Sequence, residues 1–150
     1  MLSKKDLDTF LSHKTLMLYG ASRKKDKFGN TVLRELLQKG YTVYPIHREA
    51  TELEQVSCFK SLSELPAHPG GAVLIIPPNQ TNQVVKELLA ADIKRVWMQS
   101  GAESDAAIAF CQKNNMQVIS DACILMFTEP LGLPHRLHRW FWKLFGKLPK

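Results

Sequence analysis

Short apolar runs alternate along this chain with stretches whose apolar residues recur at helical spacing. The short runs, such as LMLY and AVLII, are typical of strands buried on both faces of a sheet. They predict strands over residues 15–19, 41–48, 72–76, 95–101 and 117–120, with Pro45 ending the pairing of the second.

Apolar residues three and four positions apart predict four helices between these runs. The first covers residues 3–13, and the second runs from Phe28 to a stop at Gly40. Asn79 or Thr81 is predicted to cap the third, and the fourth covers residues 103–114. The predicted inward-facing residues of the last two helices are Val84, Val85, Leu88, Leu89, Ala106, Ala107, Phe110 and Cys111. A short helical turn is predicted to pack through Leu62 and Leu65.

The alternation of strands and helices predicts right-handed βαβ units, and therefore a parallel sheet with helices on both faces. Ligands of such sheets bind beyond the carboxyl ends of the strands, where the strand order reverses. The strand ends to consider are residues 20–22, 46–48, 76–78 and 99–101. Trp97 is expected in the core.

Charge and cysteine usage add two constraints. The chain has 150 residues and a formal net charge of +6, with three scattered cysteines and no CxxC pair. One domain in a reducing cytoplasm is the expectation, without a disulfide framework or a metal site. Cys123 is expected to be a small buried residue. No secretory signal or membrane span is visible in the sequence.

Most of the excess positive charge lies in residues 131–150, which contain no acidic residue. We predict residues 1–130 as the main domain and residues 131–150 as a basic amphipathic helix. Its apolar stripe comprises Leu133, Leu137, Trp140, Phe141, Leu144, Phe145 and Leu148. The favoured role is docking on its own domain, a second copy or another protein. Peripheral membrane contact is the alternative, and nucleic acid is the less favoured partner.

The first predicted strand is followed by a tight turn at Gly20, a basic loop and a helix, an arrangement that suits phosphate. The dinucleotide fingerprint G-x-G-x-x-G and the phosphate-loop pattern are both absent. A plain NAD site needs an acidic residue after the second strand, and the chain has His47 and Arg48 there. Arg48 suits a phosphate on the ribose, so NADP stays open.

The segment GASRKKDKFGNTVLRELLQKGYTVYPI resembles the opening of the CoA-binding domain family, the small Rossmann-like proteins similar to the N-terminal domain of the succinyl-CoA synthetase α-subunit. The resemblance continues through VLIIPP, VWMQSGAES and VISDACILM. It implies a doubly wound, Rossmann-like sheet that binds coenzyme A. The family pattern P-V-N-P is replaced here by Pro45-Ile46-His47-Arg48, and its D-R-C by Asp121-Ala122-Cys123.

The resemblance also implies roles for matched residues. Gly20, Ala21 and Ser22 would form the turn against the pyrophosphate, before the helix start at Phe28 and Gly29. Arg23, Lys24 or Lys27 would neutralise phosphate charge, and His47 and Arg48 would approach the 3′-phosphate. The walls of the site would be Ile76, Pro77, Pro78, Gln99, Ser100 and Gly101.

No catalytic constellation is visible in the sequence. The first hypothesis is therefore a protein that binds CoA or acyl-CoA without activity of its own. A regulator that senses NADP(H) and an interaction module acting through residues 131–150 are the alternatives.

Overall fold

The computed structural model describes residues 3–128 and contains a five-stranded, all-parallel sheet with the strand order β2-β1-β5-β6-β7. The strands are β1 (Thr15–Tyr19), β2 (Thr42–Ile46), β5 (Gly71–Leu74), β6 (Arg95–Gln99) and β7 (Gln117–Ala122). The helices are α1 (Lys4–Ser12), α2 (Phe28–Gln38), α3 (Pro78–Ala90) and α4 (Asp105–Lys113). This arrangement confirms the predicted doubly wound, Rossmann-like fold.

Two apolar layers, one on each face of the sheet, form the core. On one face, α1 and α2 contribute Leu7, Phe10, Val32, Leu33 and Leu36. On the other face, α3 and α4 contribute Val85, Leu88, Ala107 and Cys111. Trp97 is fully buried, as predicted, and its indole Nε1 donates to the carbonyl oxygen of Ala122 at 3.0 Å. Cys123 is also buried.

The strand order reverses at β1 and β5. From β1 the chain crosses through α2 to β2 on one side, and from β5 it crosses through α3 to β6 on the other. Because the two connections diverge, a crevice is left beyond the carboxyl ends of β1 and β5. The N-termini of α2 and α3 flank that crevice.

Two predicted features of the second half of the chain are wrong. Neither Asn79 nor Thr81 caps α3, because the helix already begins at Pro78, a residue whose fixed φ suits a first turn. Thr81 is instead buried within α3 and donates its hydroxyl to the carbonyl oxygen of Ala102 at 2.6 Å. Ala106 is exposed, because the helix starting after Ser104 turns Ala107 and Cys111 inward.

Other boundaries differ by a few residues. β5 ends at Leu74 rather than Ile76, and β7 continues to Ala122. β2 extends one residue past Pro45, which an edge strand tolerates. The predicted turn at Leu62 is a short 3₁₀ helix, Leu62–Glu64. The predicted helix of residues 131–150 lies outside the described residues.

A small hairpin, absent from the sequence-based prediction, follows β2. It consists of β3 (Glu52–Leu53) and β4 (Val56–Ser57), which pair antiparallel. After it, Phe59 pairs with the outer edge of β2 through its N–H, which donates to the Pro45 carbonyl oxygen at 2.9 Å. The hairpin is thereby placed beside the carboxyl end of the sheet.

Among residues 3–128, no helix is both long enough and apolar enough to cross a membrane. In the same part of the chain, His, Cys, Asp and Glu side chains form no group of three that could hold a metal ion.

Candidate functional site

The turn after β1 is held very close to the end of β5. Gly20 has a φ of +111°, and a Cβ placed there would lie 2.0 Å from the carbonyl oxygen of Ile75. The Ile75 N–H donates to the Tyr19 carbonyl oxygen at 2.9 Å, which extends the pairing of the two strands into the turn. Only glycine satisfies both the backbone conformation and this approach.

The first turn of α2 lies directly on the same turn. A Cβ on Gly29 would be 2.1 Å from the carbonyl oxygen of Gly20, so the helix could not approach as closely with any other residue. The two glycines thus bring the N-terminus of α2 against the carboxyl end of β1. The need for this close contact explains why position 29, at the start of the helix, is a glycine as well as position 20.

The N-terminus of α2 has no side-chain cap. Lys27 is the N-cap residue, and its side chain accepts no hydrogen bond from the first turn. The N–H groups of Phe28 and Gly29 make no hydrogen bond to any residue within 3–128. Unpaired amides at a helix N-terminus carry a positive partial charge and bind anions. Phe28 is a large apolar side chain with 42% of its surface exposed beside them.

Ser22 is fixed by a buried asparagine. Its N–H donates to Oδ1 of Asn30 at 2.8 Å, and Nδ2 of Asn30 donates back to the Ser22 carbonyl oxygen at 2.7 Å. Asn30 is fully buried. The main-chain groups of Ser22 are therefore engaged within the fold, although the residue lies in the turn as predicted.

Glu54, at the tip of the hairpin, extends this network. Its Oε1 accepts from Nδ2 of Asn30 at 3.0 Å and from Nη1 of Arg34 at 2.9 Å. The hydrogen bond from Asn30, aided by Arg34, lowers the pKa of Glu54 although burial opposes this. A cavity of about 250 Å³ lies between the hairpin and the turn. Its lining includes Ser22, Arg23, Lys25, Asn30, Glu52 and Glu54.

Charged groups from two loops meet beside β2. His47 accepts hydrogen bonds at Nδ1 from the N–H groups of Glu49 and Ala50, at 3.1 and 2.9 Å, and so orders the loop. Arg48 is exposed and forms no ion pair within residues 3–128. Arg23 pairs with Glu49, with both side chains about two-thirds exposed. The positive charge of Arg23 is therefore partly balanced.

The remaining predicted residues fall into two groups. Lys24 and Lys27 are exposed on the basic loop, and Pro77 and Pro78 are exposed at the start of α3, next to half-buried Ile76. Like Gly20, Ala21, Phe28 and Gly29, they lie in the segments that follow the carboxyl ends of β1 and β5.

Gln99, Ser100 and Gly101 lie one strand further away, at the end of β6. Gln99 is buried, and its Oε1 accepts from the N–H of Ile124 at 3.1 Å. Its side chain thus serves the fold, whereas Ser100 and Gly101 are exposed.

Sequence reasoning missed Asn30 and Glu54. Asn30 had a signal, because it is a polar residue in line with apolar Leu33 and Leu37 on α2. Glu54 had none, because the two-residue hairpin loop Glu54–Gln55 lacks the Asn-Gly or Asp-Gly pair that usually marks such turns.

Known proteins resemble this chain over most of its length. The family model described as CoA binding domain matches residues 14–129. The α-subunit of ADP-forming acetate–CoA ligase II from Pyrococcus furiosus is 23% identical over 129 residues, covering 79% of this chain and 28% of the subunit. The chain thus spans about a quarter of that curated relative.

Solved structures also resemble this chain. A conserved hypothetical protein from Pyrococcus furiosus is 36% identical, with a TM-score of 0.70 over 74% of this chain and 96% of that one. The dinucleotide-forming acetyl-coenzyme A synthetase 1 of Ca. Korarchaeum cryptofilum, solved with phosphate and ADP, is 25% identical. Its TM-score is 0.66, over 75% of this chain and 26% of the synthetase. The chain belongs to the CoA-binding domain family.

Proposed function

We propose that this chain binds CoA or acyl-CoA in the crevice between β1 and β5, and that it catalyses no reaction by itself. The observation that carries the proposal is the uncapped N-terminus of α2, whose Phe28 and Gly29 amides lie unpaired at the reversal of strand order. A diphosphate is a suitable ligand for such amides. Membership of the CoA-binding domain family supports CoA as its source.

Different basic residues would bind the different phosphate groups of CoA. Lys24 and Lys27, exposed on the loop before α2, would neutralise the diphosphate. Arg48 has no ion-pair partner among the described residues, so it is the group proposed for the 3′-phosphate of CoA. Arg23 would contribute less, because Glu49 already shares its charge.

Several observations support a binding role without catalysis. Burial raises the pKa of the Cys111 thiol to about 11, and it also raises the pKa of Cys58, so neither thiol is activated as a nucleophile. The described residues near the crevice contain no nucleophile paired with a base. Residues that carry out ligation in a longer relative need not lie in the segment that matches this chain.

Residues 131–150 lie outside the described residues, and we propose that they are an appendage not needed for ligand binding. The sheet and all four described helices precede them. Their basic, amphipathic sequence suits docking on the same domain, on a second copy or on another protein.

Calorimetric titration with CoA, dephospho-CoA, NAD and NADP tests the proposal. CoA should bind more tightly than the other three ligands. Arg48→Ala should weaken CoA binding by about one to two decades, since a charge-assisted hydrogen bond contributes about 1.5–3 kcal/mol, and should change dephospho-CoA binding little. Arg23→Ala is the matched control and should cost less.

Equal losses for CoA and dephospho-CoA would remove Arg48 from the 3′-phosphate. Tighter binding of NADP than of CoA would replace the proposal with a nucleotide sensor. Release of free thiol from acyl-CoA in proportion to the protein would contradict the absence of catalysis.

A further inference from the structure

We propose that Asn30 and Glu54 are positioning residues, and that through them the β3–β4 hairpin clamps the turn after β1 in its phosphate-accepting conformation. For the ligand, this inference rests on the proposed CoA binding. For the conformation of the turn, it stands on the structure alone.

The tip of the hairpin is conformationally strained. Glu54 and Gln55, its two loop residues, have φ values of +50° and +67°. Positive φ at both loop positions is the type I′ arrangement, which Asn-Gly or Asp-Gly supplies most easily. Residues with long side chains are unfavourable there, so an interaction elsewhere must hold them.

The Glu54 carboxylate supplies that interaction. Its side chain is only 10% exposed and accepts from Asn30 and Arg34 through the same oxygen. Arg34 also donates from Nη1 to the carbonyl oxygen of Lys25 at 3.2 Å. The hairpin is therefore linked to the basic loop at two points, at Ser22 through Asn30 and at Lys25 through Arg34.

This linkage decides which amides face a ligand. Asn30 occupies both the N–H and the carbonyl oxygen of Ser22, so the Ser22 amide points into the protein. The Phe28 and Gly29 amides keep no hydrogen-bond partner within residues 3–128. A turn fixed in advance binds with a smaller entropy loss than one that must be ordered by the ligand. Glu54 thus acts on affinity without contacting phosphate.

Matched variants distinguish the effect of losing the Glu54 hydrogen bonds from the effect of losing one negative charge near the turn. Glu54→Ala removes the acceptor, whereas Glu54→Gln retains one oxygen that can accept. Glu52→Ala is the control, because Glu52 lines the same cavity, is exposed, and makes no side-chain hydrogen bond within residues 3–128. Both alanine variants remove one negative charge.

The first measurement is amide hydrogen exchange by NMR without ligand. In Glu54→Ala, the Ser22 amide should exchange about tenfold faster than in Glu52→Ala. The reason is that Asn30, which accepts from this amide, no longer has Glu54 to hold its side chain in place. The Leu88 amide, inside α3 on the opposite layer and fully buried, reports global stability and should change equally little in both variants. Glu54→Gln should restore most of the Ser22 protection.

The second measurement is CoA affinity of the same proteins. Glu54→Ala should weaken binding about tenfold, Glu54→Gln less, and Glu52→Ala hardly at all. Unchanged Ser22 exchange in Glu54→Ala would overturn the clamp. Faster exchange with unchanged CoA affinity would overturn its role in binding. If the wild-type protein does not bind CoA, the proposed function fails, and the exchange data still decide whether the clamp exists.

Discussion

The four described helices begin in two different ways. Ser3 caps α1 by accepting from the Asp6 N–H at 3.1 Å, and Ser104 caps α4 by accepting from the Ala107 N–H at 3.1 Å. Lys27 and Pro77, at the starts of α2 and α3, provide no side-chain cap. The uncapped pair is the pair that flanks the crevice at the reversal of strand order.

We propose that this difference exchanges helix stability for ligand binding. A serine cap stabilises a helix by about 1 kcal/mol, and α2 lacks this contribution. Pro78 removes one donor from the first turn of α3, so the amides of α2 are the richer donor set. The uncapped amides of α2 are what we propose the phosphates of CoA bind.

The largest expected effect comes from adding a side-chain atom at the contact between the turn after β1 and the start of α2. Gly29→Ala should lower the free energy of unfolding by about 3 kcal/mol and abolish CoA binding, because its Cβ would meet the Gly20 carbonyl oxygen at 2.1 Å. Helix propensity alone predicts the opposite sign. Denaturant unfolding and calorimetry measure both quantities.

Gly40→Ala, at the other end of α2, is the control for Gly29→Ala. Gly40 has a φ of +86° and no heavy atom within 4 Å of an added Cβ. It should cost about 1–2 kcal/mol of stability and leave CoA affinity unchanged. A Gly29→Ala protein as stable as wild type would show that α2 does not approach the turn as described.

A smaller effect should follow from giving α2 the cap that α4 has. Lys27→Ser should stabilise the protein by about 1 kcal/mol relative to Lys27→Ala, because a serine oxygen would accept from the first turn. Where the serine accepts from the Gly29 amide rather than from the Asn30 amide it would compete with phosphate, so CoA should then bind roughly tenfold more weakly than to Lys27→Ala. The pair differs only in the cap, since both variants remove the lysine charge.

The reverse change on α4 completes the comparison. Ser104→Ala should lower stability by about 1 kcal/mol without changing CoA affinity. Equal CoA affinities of Lys27→Ser and Lys27→Ala, in a Lys27→Ser protein whose Gly29 amide is hydrogen-bonded to the serine, would show that the Gly29 amide is not used.

The smallest effect is expected from removing the basic tail. A variant ending at Glu129 retains every described element and all of the residues matched by the family model. It should therefore fold and bind CoA with unchanged affinity. A lower melting temperature or loss of a dimer would indicate docking of the tail. Failure of this variant to fold would contradict its description as an appendage.

The sequence was sufficient to predict the parallel sheet and its four α-helices, because the spacing of apolar residues indicates which positions are buried. The sequence also places Gly20 in the turn and Gly29 at the helix start, and these two glycines pack closely in the structure. Thr81 was misassigned, because a threonine near a helix start resembles a cap, and only tertiary packing shows that it is buried.

The hairpin could not be predicted for a different reason. Its strands have two residues each, which is too short for a periodic signal, and its loop has Glu54 and Gln55 in positions that glycine or asparagine usually occupies. Interactions distant in sequence stabilise that loop. The partial neutralisation of Arg23 by Glu49 is likewise a tertiary feature.

The central claim is that the uncapped amides of α2 bind the phosphates of CoA. The most direct measurement is an NMR titration of the ¹⁵N-labelled protein with CoA. The Phe28 and Gly29 amides should show the largest shifts, whereas Asp6 and Ala107, whose amides are hydrogen-bonded to serine caps, should not move. Saturable CoA binding with unchanged Phe28 and Gly29 resonances would contradict the account.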